Sequence, residues 1–320
     1  MRLLGVELGR LRSRPAVVVI LLLTLLLGGL LVGSAAYDTR PVSDQERATA
    51  EQLLERQQEA SQKDFEDCLE DPASYFGGDA TEADCEGTLP TLDWFLTRAQ
   101  LDLQGELDNR GTTLMVLLAC VGILVGATFA GADWGSGSMS NQLLFEPRRL
   151  RVWVTKAVAV VLACTAAATV VLAAFWASMG VIASSRGIDV APETWSAILQ
   201  TSGRAACLVA GVTLGGFALT MLLRHTVGTL GLLFGYAVVG EGLAAALPVD
   251  KMSQWSMASN VMAWLHDRQE IYDESICGGS QGACTPYYTL HLTHAAGYLG
   301  VLLLLAVLVS VFFFRRRDVP

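Results

Sequence analysis

The chain alternates between long apolar runs and polar segments that carry most of its charge. Each apolar run has about the 20 residues that a helix rising 1.5 Å per residue needs to cross a hydrocarbon core about 30 Å thick. The runs are 15–36, 112–131, 152–181, 203–223, 227–247 and 290–314. They predict an all-α integral membrane protein with six transmembrane helices.

The distribution of Lys and Arg predicts the orientation of these helices. With the N-terminus inside the cell, twelve basic residues lie in or beside cytoplasmic segments, against four in the two shorter outer loops. Basic residues close to membrane spans mark the cytoplasmic side. We therefore expect a multi-pass protein of the cell membrane with cytoplasmic N- and C-termini.

The predicted spans divide the chain into three parts. Residues 1–36 form an N-terminal interfacial helix and the first span, and residues 37–111 form an extracytoplasmic helical insert. Residues 112–320 hold spans two to six, with a cytoplasmic loop at 131–156 and an outer loop at 248–288.

The segment before the first span is amphipathic. Its leucine and valine side chains, among them Val6 and Leu11, can face lipid while Glu7 and Arg10 face water. That division suits a helix lying in the inner membrane interface, with membrane lipid as its partner. A plain basic flank of the first span explains the composition equally well.

The insert holds much of the acidity of a chain whose net charge is −9. Ser43 and Glu46 form a capping-box pattern, and the twenty residues that follow are strong helix formers. A second helix is expected over 92–109. A disulfide between Cys68 and Cys85 can staple the loop between them, which predicts a small helical ectodomain.

The cysteines agree with this topology. Cys68 and Cys85 lie in the insert, and Cys277 and Cys284 lie in the last outer loop. Two pairs in outer loops predict two disulfides in an oxidising exterior, although a pairing between the two loops is left open. The other three cysteines lie in spans, and because no cysteines have zinc-site spacing we expect no metal site.

Composition narrows the function classes. Hydrophobic residues make up 52% of the chain, charged residues 17%, and the mean hydropathy is +0.43, which excludes an ordinary soluble domain. No cationic stripe exists beyond the positive-inside pattern, so nucleic-acid binding is not expected. Phosphate-loop and metalloprotease motifs are also missing, so we expect neither a catalytic residue nor a cofactor bound by this chain.

The loop 131–156 has an ordered pattern of residue types between two spans. A Gly-Ser turn can break the helix of the second span, Ser138 can cap a short helix over 141–144, and Pro147 can end that helix. These features together predict a compact helical protrusion with charged residues around it. An ordinary basic loop would explain the arginines but not the spacing of the Gly-Ser, Leu-Leu and Pro positions.

This pattern resembles the coupling segment of ABC-2-type transporter permeases, in which an acidic residue and a Gly-Ser turn precede a leucine helix, Pro-Arg and a lysine. Glu7, Arg10 and Arg12 also match the start common in such permeases. The resemblance implies that the chain is the permease subunit of an ATP-driven exporter. It would form the transmembrane pathway as a dimer with a second copy or a homologue. ATP and Mg would be bound by a separate cytosolic ATPase subunit.

The resemblance also implies which residues couple the permease to the ATPase. They are Asp133, Gly137, Ser138, Leu143, Leu144, Glu146, Pro147, Arg148, Arg149 and Arg151. A different class remains open as the alternative, namely a membrane sensor or scaffold whose acidic ectodomain binds an external ligand.

Glu241 is an ionisable residue within the fifth span. Such groups are costly at membrane depth and tend to face a bundle interior or a water-filled cavity. One interpretation is a residue of the translocation pathway, because spans two and five line the cavity in the permeases that the chain resembles. The other is a structural hydrogen bond near the outer end of the span.

Overall fold

The computed structural model describes residues 2–77, 81–85, 87, 89–96, 98, 100–246, 251–273 and 285–316. The chain forms two compact units. The larger unit comprises Met1–Leu31 and Leu103–Pro320, and the smaller unit is Val32–Asp102.

Six helices are long and apolar enough to cross a membrane, which confirms the six predicted spans. They are α2 (Pro15–Asp38), α8 (Thr112–Gly135), α10 (Arg149–Ser185), α11 (Pro192–Leu223), α12 (Thr226–Ala246) and α14 (Leu292–Arg316). A short helix, α7 (Leu103–Glu106), and a π-helical turn (Leu107–Gly111) lead directly into α8. A π-helical turn inside a helix often marks a functional position.

The remaining elements of the larger unit are short. They are α1 (Arg2–Arg12), α9 (Ser138–Phe145), a 3₁₀ turn (Met252–Trp255), α13 (Met257–His266), β1 (Arg268–Tyr272) and β2 (Tyr287–His291). The prediction of an all-α fold missed the antiparallel pair β1–β2, in which Arg268 lies opposite His291 and Tyr272 opposite Tyr287. These strands contain aromatic and β-branched residues whose burial alternates along the chain, as in a half-buried strand.

Two helix backbones of the larger unit approach each other closely where α8 packs against α11. A Cβ atom on Gly126 would lie 2.3 Å from the carbonyl oxygen of Thr213, and one on Gly216 would lie 2.8 Å from that of Ile123. Helix backbones approach this closely only where side chains are absent. Gly122 lies on the same face of α8, where an added Cβ would be 2.6 Å from the Thr213 hydroxyl.

The smaller unit is built around one long helix. Its elements are α3 (Asp44–Glu70), α4 (Pro72–Phe76), α5 (Glu82–Cys85) and α6 (Leu92–Phe95). The predicted capping box is confirmed, because the Ser43 hydroxyl accepts from the Glu46 amide and the Glu46 carboxylate accepts from the Ser43 amide. The predicted disulfide is also confirmed, with the Cα atoms of Cys68 and Cys85 5.9 Å apart.

Of two further predictions for the polar segments, one is wrong and the other concerns residues outside the described part of the chain. The helix predicted over 92–109 is wrong, since α6 ends at Phe95 and the guanidinium of Arg98 bonds to Glu46 and to the carbonyl of Pro41. A specific contact with the start of α3 thus prevails over local helix propensity. The disulfide predicted for Cys277 and Cys284 falls on 274–284, outside the described residues.

Candidate functional site

A cluster of ionised side chains lies buried where α8 ends and α10 begins. We call Glu7, Arg14, Asp133 and Lys156 the ionic cluster. Lys156 is fully buried, and Glu7 and Asp133 are each 2% exposed. Charges removed from solvent in this way persist only when they are paired and hydrogen-bonded.

Lys156 lies at the centre of the ionic cluster. Its Nζ is 2.6 Å from Oδ2 of Asp133 and 3.0 Å from Oε2 of Glu7. The other oxygen of Asp133, Oδ1, is 2.6 Å from Nη2 of Arg14. The two carboxylates of the cluster therefore pair with its two cations, and the more exposed Arg10 adds a third cation 3.6 Å from Oε1 of Glu7.

Two polar side chains of α9 complete the bonding of the carboxylates. Ser138 donates its hydroxyl to Oδ1 of Asp133 at 3.1 Å. Gln142 donates from Nε2 to Oε1 of Glu7 at 2.8 Å. One face of α9 is therefore bonded to α8 through Asp133 and to α1 through Glu7.

An aromatic ring and a carbonyl hold the cations of the cluster. Arg14 donates from Nη1 to the carbonyl of Phe129 at 2.8 Å, and its guanidinium lies 4.7 Å from the centroid of the Phe129 ring. The Nζ of Lys156 lies 5.6 Å from the same centroid. Phe129 is itself fully buried, so its ring offers both cations a cation–π contact away from solvent.

The position of Glu7 corrects the amphipathic prediction for α1. Glu7 and Leu11 are four residues apart and both are buried, whereas Val6 is 54% exposed. The face of α1 that packs on the bundle is therefore the face with Glu7 on it. A cation within α10 draws this carboxylate inward, which no pattern within α1 alone could indicate.

The short helix α9 agrees in outline with its prediction. It begins after Gly137, whose φ of 69° is left-handed, and it ends at Phe145, two residues before Pro147. The predicted capping role of Ser138 is wrong. Ser138 is the first residue of the helix, and its hydroxyl bonds to Asp133 instead of to the backbone of α9.

The other face of α9 ends in an exposed apolar tip. Leu144 is 80% exposed and Phe145 is 91% exposed, while Met139 at the start of the helix is fully buried. Leu143 is half-buried. We call Leu144 and Phe145 the α9 tip.

The charged residues after the tip do not form one surface. Glu146 pairs with Arg151 at 3.2 Å. Arg149 donates to the carbonyl of Phe314 at 3.3 Å, near the end of α14, where a cation is favoured by the helix dipole. Of the predicted coupling arginines, Arg149 is therefore engaged with α14 and Arg151 with Glu146, whereas Arg148 is exposed.

Glu241 lies close to the start of α13. One carboxylate oxygen accepts from the Ser256 hydroxyl at 2.6 Å, and the other accepts from the Ala258 amide at 3.0 Å. The geometry is that of a carboxylate stabilising a helix N-terminus. Its role in a translocation pathway stays a prediction.

Sequence reasoning did not assign Glu7, Arg14, Lys156 and Gln142 to one site. The available signal was Lys156, an ammonium inside an apolar run, which needs an anion at the same depth. Asp133 at the end of the preceding span was the nearest candidate. Glu7 and Gln142 could not be found this way, because both lie in polar segments that need no buried partner.

The arrangement is suited to transmitting displacement. α9 is bonded on one face to α1 and α8, and its exposed tip is free to contact another molecule. Among the described residues, no group of three or more His, Cys, Asp or Glu could hold a metal ion. No family model, curated protein or solved structure matches this chain.

Proposed function

We propose that the protein is the permease subunit of an ATP-driven exporter of the ABC-2 type. It lies in the cell membrane with both termini in the cytoplasm and the acidic insert outside. It forms the pathway as a dimer with a second copy or a homologue. The segment 131–156 couples it to a separate ATPase subunit that binds ATP and Mg. The observation that carries the proposal is the α9 tip.

The α9 tip has the character of a protein contact. Burying a Leu or Phe side chain contributes about 1.5–3 kcal/mol, so Leu144 and Phe145 together could anchor a small helix in a groove. Adjacent exposed apolar anchors with charged residues around them are typical of the centre and rim of an interface. Arg148 and the Glu146–Arg151 pair supply that rim.

The ionic cluster connects the helix that carries the α9 tip to helices α1, α8 and α10. When the ATPase subunit moves α9, the bonds from Ser138 and Gln142 pull on Asp133 and Glu7. Both carboxylates bond to Lys156, so α8, α1 and α10 move with α9. A basic loop without this cluster would transmit far less of the displacement.

The double substitution Leu144→Ser/Phe145→Ser tests this proposal. The ATPase subunit that co-purifies with the wild type should no longer co-purify with the variant, and permease-stimulated ATP hydrolysis should be lost. The matched control is Val181→Ser/Leu199→Ser, which removes two apolar side chains that are 67% and 70% exposed on α10 and α11. Normal co-purification and hydrolysis in the tip variant would refute the proposal.

The smaller unit supports the second candidate function, a sensor or scaffold that binds an external ligand. It is a compact helical unit closed by the Cys68–Cys85 disulfide, as expected of a stable extracytoplasmic domain. Deleting 43–90 separates the two functions. A scaffold would lose its ligand, whereas a transporter would keep its basal ATPase coupling.

A further inference from the structure

A cleft lined by both polar and apolar groups lies in the larger unit between the start of α8, the end of α13 and strand β1. Its volume is about 720 Å³, within the range of ligand-binding sites. One wall is a single face of the π-helical turn and α8, with Asn109, Thr113 and Val116 one turn apart. The opposite wall consists of three consecutive residues of β1, Arg268–Glu270.

The wall made by β1 is a strand edge. Successive side chains of a strand point to opposite faces of the sheet, so a cavity that touches three residues in a row must run along the edge. Within the described part of the chain, β1 pairs only with β2. No β2 residue lines the cleft. The edge that faces the cleft is therefore the one without a neighbouring strand.

The hydrogen bonds at the two ends of the hairpin show which backbone groups face the cleft. Leu292 donates its amide to the carbonyl of Asp267 at 2.9 Å, and Asp273 donates to that of Pro286 at 2.8 Å. In an antiparallel pair, every second residue bonds to the partner strand. The odd-numbered residues of β1 therefore bond to β2, and Arg268 and Glu270 direct their amides and carbonyls into the cleft.

A side chain confirms the direction of one of these groups. Gln269 donates from Nε2 to the carbonyl of Glu270 at 3.2 Å, at a position where β2 supplies no donor. Backbone groups left at a strand edge form a template for another extended chain. Their repeat of two residues matches the backbone of a peptide in the β conformation.

His266 joins two of the elements that line the cleft. Its Nε2 is 2.8 Å from the Thr112 hydroxyl, and its Nδ1 is 3.6 Å from Oδ1 of Asp108. These contacts tie the end of α13 to the first turn of α8. Polar side chains of Asn109 and Thr113 remain exposed on the helical wall and can bond to the outer edge of an inserted strand.

We propose that this cleft binds an extended peptide segment by strand addition to β1. Residues of α8 and α13 line the side of the cleft opposite this edge. A second copy of this chain cannot supply that strand from its own β1, whose edge lies inside its own cleft. The peptide site is distinct from the α9 tip, and peptide binding to it requires no ATP hydrolysis.

The test uses the full-length protein in nanodiscs and a displayed library of random decapeptides. Peptides enriched on the wild type should bind Glu270→Pro at least about tenfold more weakly, because proline removes the amide that faces the cleft. The ladder to β2 does not use that amide, so the hairpin should stay intact. Glu270→Ala, which removes only the carboxylate, is the control and should bind within about threefold of the wild type.

N-methylated versions of an enriched peptide provide a test that needs no protein variant. Methylation of every second amide should abolish binding in one register and leave it in the other, because only alternate amides face β1. Thr113→Trp, which fills the cleft from the helical wall, should also abolish binding. If no enriched peptide responds to the cleft variants, or if both methylation registers bind alike, the proposal is wrong.

Discussion

Lys156 is the residue on which the bonding of the candidate site depends. It is fully buried, and its ammonium is shared between carboxylates from two other helices. A buried ion pair adds little net stability compared with apolar residues of the same shape, but removal of one partner leaves an uncompensated charge. The chain therefore depends strongly on the balance of charge within the ionic cluster.

We expect Lys156→Met to lower the free energy of unfolding by about 3–5 kcal/mol, because Glu7 and Asp133 would share one fewer cation. Lys156→Met/Glu7→Gln removes one charge of each sign and should recover part of the loss. Thermal unfolding in detergent measures both effects. The control is Arg148→Met, which removes an exposed cation and should change stability by no more than about 0.5 kcal/mol. If the double variant were less stable than Lys156→Met, charge balance would not be the cause.

Glu46 gives the capping box of α3 a pH dependence. Hydrogen bonds from the amide and hydroxyl of Ser43, with the nearby guanidinium of Arg98, hold the pKa of Glu46 below its usual value of 4.5. A group whose pKa is lowered by folding stabilises the folded state above its unfolded pKa, and that contribution is lost as pH falls through the folded pKa. The start of α3 should therefore loosen in acid.

Hydrogen exchange measures this loosening. After correction for the intrinsic exchange rate, amides 46–48 should exchange faster at pH 3 than at pH 6 in the wild type. In Glu46→Gln the carboxylate is absent, so the pH dependence should largely disappear. A variant that retained the full pH response would show that another group titrates at the start of α3.

At the level of elements, the packing of α8 against α11 depends on absent side chains. We expect Gly126→Ala to cost about 1–3 kcal/mol, because its Cβ would lie 2.3 Å from the Thr213 carbonyl oxygen and the helices must separate. Gly231→Ala on α12 is the control, since none of the described atoms lies within 4 Å of its Cβ. That substitution should be neutral or slightly stabilising, because alanine favours a helix over glycine. Equal melting temperatures for the two variants would contradict the packing argument.

The elements also show what could be predicted from the sequence. Apolar length predicted the six spans, and local chemistry predicted the capping box and α9, because each signal lies within a few residues. The hairpin β1–β2 was missed, because its strands are five residues long and 287–291 adjoins an apolar run. The ionic cluster was missed for a related reason: Glu7 and Lys156 are 149 residues apart, and nothing local indicates their pairing.

At the scale of the whole larger unit, α8 connects the two sites. Its last turns carry Asp133 of the ionic cluster, and its first turn carries Thr112 and Thr113 of the cleft. The 24 residues of α8 span about 36 Å. Close packing along α11 makes α8 a stiff element. We therefore expect a displacement of Asp133 to move α8 along its whole length.

Gln142 offers a way to separate docking from transmission. It joins α9 to α1 through Glu7 but lies apart from the exposed α9 tip, so Gln142→Met should leave the partner ATPase bound. Loss of this bond should weaken the pull on α1, so stimulated ATP hydrolysis should fall several-fold, as expected when about 1 kcal/mol of coupling is lost. Asn141→Met alters the exposed neighbour on the same helix and should affect neither measurement. Co-purification and stimulated hydrolysis are measured on the same preparations. If Gln142→Met also lost the ATPase, the ionic cluster would be supporting the docking surface and not transmitting its motion.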